Sequence, residues 1–400
     1  MSTDPEKPTP PHATATRLSH SGRDSAGHNG AVNVPVYRAS TILFPSQEVY
    51  EDLTARPFDT YQYGRTLTPT SDALEKAVAE LEHGHRAISV SSGAAACATA
   101  LLAHVKAGDH ILVVDTAYGP TRRLCATLLK DLGVETEYYD PLIGAGIAAL
   151  IRPNTSVIYL ETPGSLTFEV QDVPAIVAVA KDQGITTILD NTWASPLFFK
   201  PLDHGVDVSV QAATKYIVGH ADALVGLITL PDETSFRRVK RVAAVLGQQA
   251  GPDDAYLALR GLRTIAVRLQ QHQRTALEVA RWLAARPEVE RVLYPPLPTA
   301  PGHAIWARDF AGASGLMGVV LRDGVTTAGV RRMMNGFTLF GIGASWGGFE
   351  SLVLWTKPEA QRTATTWDAP GRTLRLHIGL EDPGDLITDL EAGFHRLMAG

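Results

Sequence analysis

Lys215 stands in the run QAATKYIVGHADALVG (211–226), after a short apolar segment that reads as a buried strand and before a glycine-containing loop. In open α/β sheets, ligands sit at the loops beyond the carboxyl ends of strands. A lysine there, partly withdrawn from water, has a lowered pKa, and its neutral amine can attack a carbonyl. Position alone suits a solvated surface lysine better. Asp190, in TTILDNTW, ends an apolar run in the same way. Such a carboxylate caps a loop or pairs with a protonated pyridine nitrogen, which makes a bound ring an electron sink.

Two further segments suit an anion. Ser91-Ser92-Gly93-Ala94-Ala95-Ala96 lies between a strand and a helix. Its small residues let backbone N–H groups at a helix N-terminus approach a phosphate. Tyr61-Gln62-Tyr63-Gly64-Arg65 offers a guanidinium fork beside a tyrosine hydroxyl. Each segment alone has an ordinary structural explanation. Jointly they supply the amine, the acid and the phosphate seat that pyridoxal phosphate (PLP) requires.

The elements around these residues alternate. Residues 72–83 place Leu74, Val78 and Leu81 on one helical face. HRAISVS, HILVVD (110–115), SVIYLET (156–162), TTILDN (186–191) and VDVSVQA (206–212) read as strands. GAAACATALLAHV, residues 120–132 and PAIVAVAKDQG read as helices between them. Short β-rich runs separated by helices predict an α/β domain with a large, mostly parallel sheet covered on both faces. A long helical stretch is expected over 253–286. SGLMGVVLR, FTLFGIG and TLRLHIGL then read as strands, with helices near 326–335 and 383–398, as in a smaller C-terminal α+β domain. The expected division is an N-terminal arm and inter-subunit segment (1–65), a large domain (66–252) and a C-terminal domain (253–400).

Bulk properties narrow the classes. The 400 residues carry a formal charge of -6 without a long basic run, which argues against nucleic acid or an anionic membrane as partner. No apolar stretch approaches the roughly 20 residues of a membrane span. The first twenty residues, rich in Pro, Thr and Ser, read as a flexible arm without a signal-peptide core. Two cysteines, Cys97 and Cys125, read as buried small hydrophobes, and a cytoplasmic location is expected.

In order and content these segments resemble the Cys/Met-metabolism family of PLP enzymes, of fold type I, from about residue 15 to the C-terminus. DNTWASPLFFKPLDHGVDVSVQAATKYIVGHADALVG carries most of the resemblance. DTAYGPTRRLC, ETPGSLTFEVQDVPAIV, RGLRTIAVRL, SWGGFESL and LRLHIGLED add to it. The resemblance implies that Lys215 holds the cofactor as a Schiff base and then works as acid and base. It implies that Asp190 pairs with the pyridine nitrogen and that Tyr118 stacks on the ring. Gly93 and Ala94 backbone and the Thr214 hydroxyl would bind the phosphate, and Tyr63 and Arg65 the phosphate of a neighbouring subunit's cofactor. Arg375 would hold the substrate α-carboxylate, with Ser345 and Trp346 nearby. A homotetramer, built as a dimer of dimers with inter-subunit sites, is implied as well. His220 and Asp222 are read as structural partners.

The segment Gly343-Ala344-Ser345-Trp346-Gly347-Gly348 bears on the reaction. The γ-type members typically carry Glu-Ser-Leu-Gly-Gly there, whereas the β-lyases carry Ser-Trp-Gly-Gly. The pattern therefore implies α,β-elimination of an amino-acid thioether such as L-cystathionine. A γ-type enzyme and a non-catalytic PLP-fold regulator are the alternatives. Three departures stand out: Ala212 where relatives often have Ser, a loop one residue short after Arg65, and a small residue at Ala344.

Overall fold

The structure is a computed structural model and describes residues 12–399. The larger sheet is built from β1 (Arg86–Val90), β2 (His110–Val114), β3 (Glu135–Tyr139), β4 (Thr155–Glu161), β5 (Thr186–Asp190), β6 (Val208–Ala212) and β7 (Gly226–Leu230). Their spatial order is β1-β7-β6-β5-β4-β2-β3. Five of them, from β6 to β3, run parallel, and β7 lies antiparallel between β6 and β1. Every residue of β2 and β7 is buried, so both faces of the sheet are covered. That two-sided burial is what makes such strands continuous apolar runs.

Local chemistry fixes the helix starts. In Pro69–Leu81 a capping box closes the first turn. The Thr68 side chain accepts from the Ser71 N–H, and the Ser71 hydroxyl accepts from that of Thr68. In Gly93–Leu102 the Ser92 hydroxyl accepts from the Ala95 N–H at 3.1 Å. The N–H groups of Gly93 and Ala94, one turn too early for an intrahelical acceptor, remain available at the sheet edge.

The second sheet comprises β8 (Val289–Leu293), β9 (Leu316–Leu321), β10 (Gly341–Ile342), β11 (Leu352–Thr356) and β12 (Thr373–His377), in the order β10-β11-β12-β9-β8. Only β10 and β11 pair in parallel.

Several expectations need correction. The stretch 253–286 is two helices, Pro252–Leu262 and Ile265–Ala284. At the break, the Arg268 guanidinium takes the carbonyls of Gly261, Tyr216 and Ile217. FTLFGIG contributes only Gly341–Ile342 to a strand. The Asp389 carboxylate takes the N–H groups of Thr338, Leu339 and Phe340, which removes them from any ladder. The helix over 120–132 carries a π-helical segment at Cys125–Leu129. Of the expected flexible arm, residues 1–11 lie outside the described residues. Thr14–His20 is a helix with Leu18 buried, and Arg263 donates to the carbonyls of Leu18 and Ser21.

The two sheets are tied across their seam by Asp115, the residue after β2. Its carboxylate accepts from the N–H groups of Thr363, Ala364 and Thr365 and from both threonine hydroxyls, and it pairs with Arg122 at 3.1 Å. Burial pushes this carboxyl up, but the Thr363 and Thr365 donors outweigh it, and the net shift is downward. A carboxylate depressed in the folded state stabilises above its unfolded pKa of about 3.9 and loses that contribution as pH falls through the folded value. Asp115→Ala should therefore cost about 3 kcal/mol at neutral pH. Denaturant titration should show the gap from the parent protein narrowing below about pH 4.

Candidate active site

A cavity of about 750 Å³ opens where the carboxyl edges of β4, β5 and β6 face the second sheet. Asp190, Glu161 and Ala212 are the last residues of their strands, and all three line it. Lys215 enters from the turn after β6. Its Nζ donates to Ser345 Oγ at 2.7 Å and lies 5.4 Å from the centre of the Trp346 ring. Burial lowers the Lys215 pKa to about 8, helped by the nearby Arg375 and opposed by Asp190. The amine is thus half neutral near pH 8, which makes it far more available for nucleophilic or basic work than an ordinary lysine.

Arg375 reaches the same cavity from the middle of β12 and donates to the Ser345 carbonyl at 2.8 Å. Two residues on and on the same face of β12, His377 sits at 3.1 Å from the Gly347 N–H. Burial pushes the His377 imidazole down to about 3, so it stays neutral. These contacts hold the turn 345–348 against Lys215. Ser345 has φ 77° and Gly347 φ 87°. A Cβ at Gly347 would stand 3.0 Å or less from Lys215 backbone atoms, so only glycine permits the approach.

Asp190 is buried and collects three donors: the Thr192 N–H at 3.0 Å, the Thr192 hydroxyl and the Cys97 thiol at 3.7 Å. Burial still raises its pKa overall. Tyr118, 44% exposed as a residue, lines the cavity, while its N–H donates to Glu161 at 2.7 Å. Gly93 and Ala94 line the cavity at the start of their helix. A Cβ at Gly93 would strike Ala212 Cβ at 2.4 Å, so the paired small residues keep this corner open to backbone donors.

The structure brings together Lys215, Asp190, Tyr118, Gly93, Ala94, Thr214, Arg375, Ser345 and Trp346. The Thr214 hydroxyl is engaged with the N–H and carbonyl of Val225, at 3.0 and 3.3 Å. Tyr63 and Arg65 do not line the cavity of their own chain; Tyr63 bridges to Thr41, and Arg65 donates to the Ala244 carbonyl. Ala344 is exposed and off the cavity wall. His220 bonds the Val218 carbonyl, in keeping with a structural part. Sequence reasoning missed Glu161, Thr192, Gln361 and the contact of Cys97 with Asp190. Glu161 had a usable signal, since it ends an apolar strand as Asp190 does.

A lysine amine, a buried carboxylate, an aromatic face and free helix-start N–H groups around one cavity fit a phosphorylated pyridine aldehyde. The match to known proteins agrees. Residues 15–395 match the family model for Cys/Met metabolism PLP-dependent enzymes. The chain belongs to this family, whose cofactor is pyridoxal 5'-phosphate. It is 44% identical over 389 residues to the cystathionine β-lyase MetC of Escherichia coli, covering 96% of this chain and 98% of that one. It is 41% identical over 391 residues to the L-alanine/L-glutamate racemase of Wolbachia pipientis, covering 95% and 96%. The crystal structure of cystathionine γ-synthase from Xanthomonas oryzae superposes with a TM-score of 0.89 at 33% identity, over 97% and 99% of the two chains.

In the cofactor-free protein, Lys215 should react with an acylating reagent half-maximally near pH 8, read by peptide mass spectrometry. Ordinary lysines require about pH 10.4. Arg375→Ala removes a like charge and should move the midpoint upward; an unchanged midpoint would contradict the coupling.

Proposed function

We propose that the chain is a carbon–sulfur β-lyase that converts L-cystathionine, or a related L-cysteine S-conjugate, to a thiol, pyruvate and ammonia. The observation that carries this reading is Trp346 on the wall beside Lys215, in a segment free of the γ-type glutamate. Near full-length identity to a named β-lyase supports it.

When bound, PLP supplies an electron sink for charge developing at the substrate Cα. Lys215 would hold the cofactor at rest. Once displaced by the substrate amine, it would take the Cα proton and return a proton to the departing sulfur. Asp190, held by Thr192 and Cys97, would keep a proton on the ring nitrogen. The Gly93 and Ala94 N–H groups would receive the phosphate. Arg375 would exchange its bond to the Ser345 carbonyl for a bidentate grip on the α-carboxylate. Tyr118 and Trp346 would wall the reacting centre from water. Hydrolysis of the three-carbon fragment balances the reaction: cystathionine and water give homocysteine, pyruvate and ammonia.

Tyr63 and Arg65, absent from their own chain's cavity, suit completion of a neighbour's site in a dimer, doubled to a homotetramer. A fully active monomer in light scattering would contradict this. No helix among the described residues is long and apolar enough to cross a membrane.

A second reading has one specific support: the Wolbachia relative is named a racemase. Lys215 and the Tyr118 hydroxyl offer two proton-transfer groups at one cavity. A single assay separates the readings. With cystathionine, pyruvate and homocysteine should accumulate, and Lys215→Ala should lower the rate at least about a thousandfold. 2-Oxobutyrate with cysteine would instead make the enzyme γ-type. Racemisation of L-alanine without lysis of cystathionine would favour the racemase.

A further inference from the structure

Glu161 is a buried-edge carboxyl in the cavity that the proposed reaction does not use. It closes β4 as Asp190 closes β5, and the two residues are register partners on adjacent parallel strands. Register partners project from the same face with backbones about 4.8 Å apart. Two carboxylates so placed cannot both ionise cheaply, and one must keep its proton. The donors decide which. Asp190 receives three, from the Thr192 N–H, the Thr192 hydroxyl and the Cys97 thiol. Glu161 receives one, from the Tyr118 N–H. Its other neighbours do not favour charge. Cys97 from the helix Gly93–Leu102, Tyr159 on β4 and the Tyr118 hydroxyl are all neutral groups whose pKa values are pushed up. The cations Lys215 and Arg375 border the same cavity, and Lys215 counts among the groups that favour the Asp190 anion. Burial, with Asp190 next, accordingly pushes the Glu161 carboxyl well up against the pull of the Tyr118 N–H.

We propose that Glu161 is a positioning residue that works as an uncharged carboxyl. It anchors the main chain of Tyr118 and, by keeping its proton, leaves Asp190 the single negative charge of the pair. This rests on the reading of Asp190 as the ring-nitrogen partner.

The test compares the holoenzyme with Glu161→Gln and Glu161→Ala, following kcat, KM and the pH midpoint of the bound cofactor's visible absorbance. Glutamine keeps a neutral acceptor for the Tyr118 N–H. It should hold the midpoint within about 0.3 pH unit and rescue what alanine loses. Alanine strands the N–H and should lower kcat/KM about tenfold. A midpoint shifted by about one unit or more in Glu161→Gln would show a charged Glu161 and overturn the proposal. So would a Glu161→Ala enzyme equal to the parent. Infrared difference spectra of parent against Glu161→Gln give a readout free of activity. A protonated-carboxyl band lost in the variant is expected, and a carboxylate band lost instead overturns the proposal. Asp190→Asn isolates the underlying assignment: unchanged cofactor affinity and absorbance there would sink the role of Asp190, whatever the Glu161 variants do.

Discussion

Two like charges share one half-dry cleft, and the site is organised around that constraint. Lys215 comes from the larger sheet and Arg375 from the smaller one, and both meet Ser345, one at its hydroxyl and the other at its carbonyl. Burial together with the neighbouring guanidinium lowers the lysine to about pH 8. An isolated cation pair would separate. Here it is held because the turn 345–348 is clamped by His377 and packed glycine-to-backbone on Lys215. Burial, with the repulsion of the guanidinium added to it, is the source of an amine that gives up its proton near pH 8.

The opposite wall is built by the same economy of position. Parallel strands β4, β5 and β6 all end at the cavity, so their last residues, Glu161, Asp190 and Ala212, all line it. Asp190 gains donors from Thr192 and Cys97, Glu161 gains only the Tyr118 N–H, and Ala212 gives room to Gly93. Asp115, one strand further along the sheet, sends its carboxylate across the seam to residues 363–365 and fixes the distance between the two sheets. Residue placement at strand ends thus sets the lining and the geometry of the cleft together.

Much of this was legible before any coordinates. The buried central strands β2, β4, β5 and β6 announced themselves as apolar runs, and Lys215 and Asp190 were visible as polar residues at their ends. Strands with weaker patterns were not, and the fully buried β7 was passed over as well. β3 is a half-exposed edge strand with two glutamates, and β8 is five residues long with two adjacent charges in it. FTLFGIG misled because its composition is β-rich while a distant carboxylate, Asp389, takes its donors. Arg375, Ser345 and Tyr118 could be placed at the site only through resemblance, since their meeting depends on how two sheets pack. Cys97 shows the limit from the other side. Burial was foreseeable from its apolar helix, but not that the thiol would point at Asp190.

The most direct test of the account is chemical trapping of the holoenzyme. Borohydride reduction followed by peptide mass spectrometry should place the pyridoxyl-phosphate adduct on Lys215, in the peptide containing Thr214 and Tyr216. Recovery of the adduct on another lysine, such as Lys200 or Lys240, would contradict it.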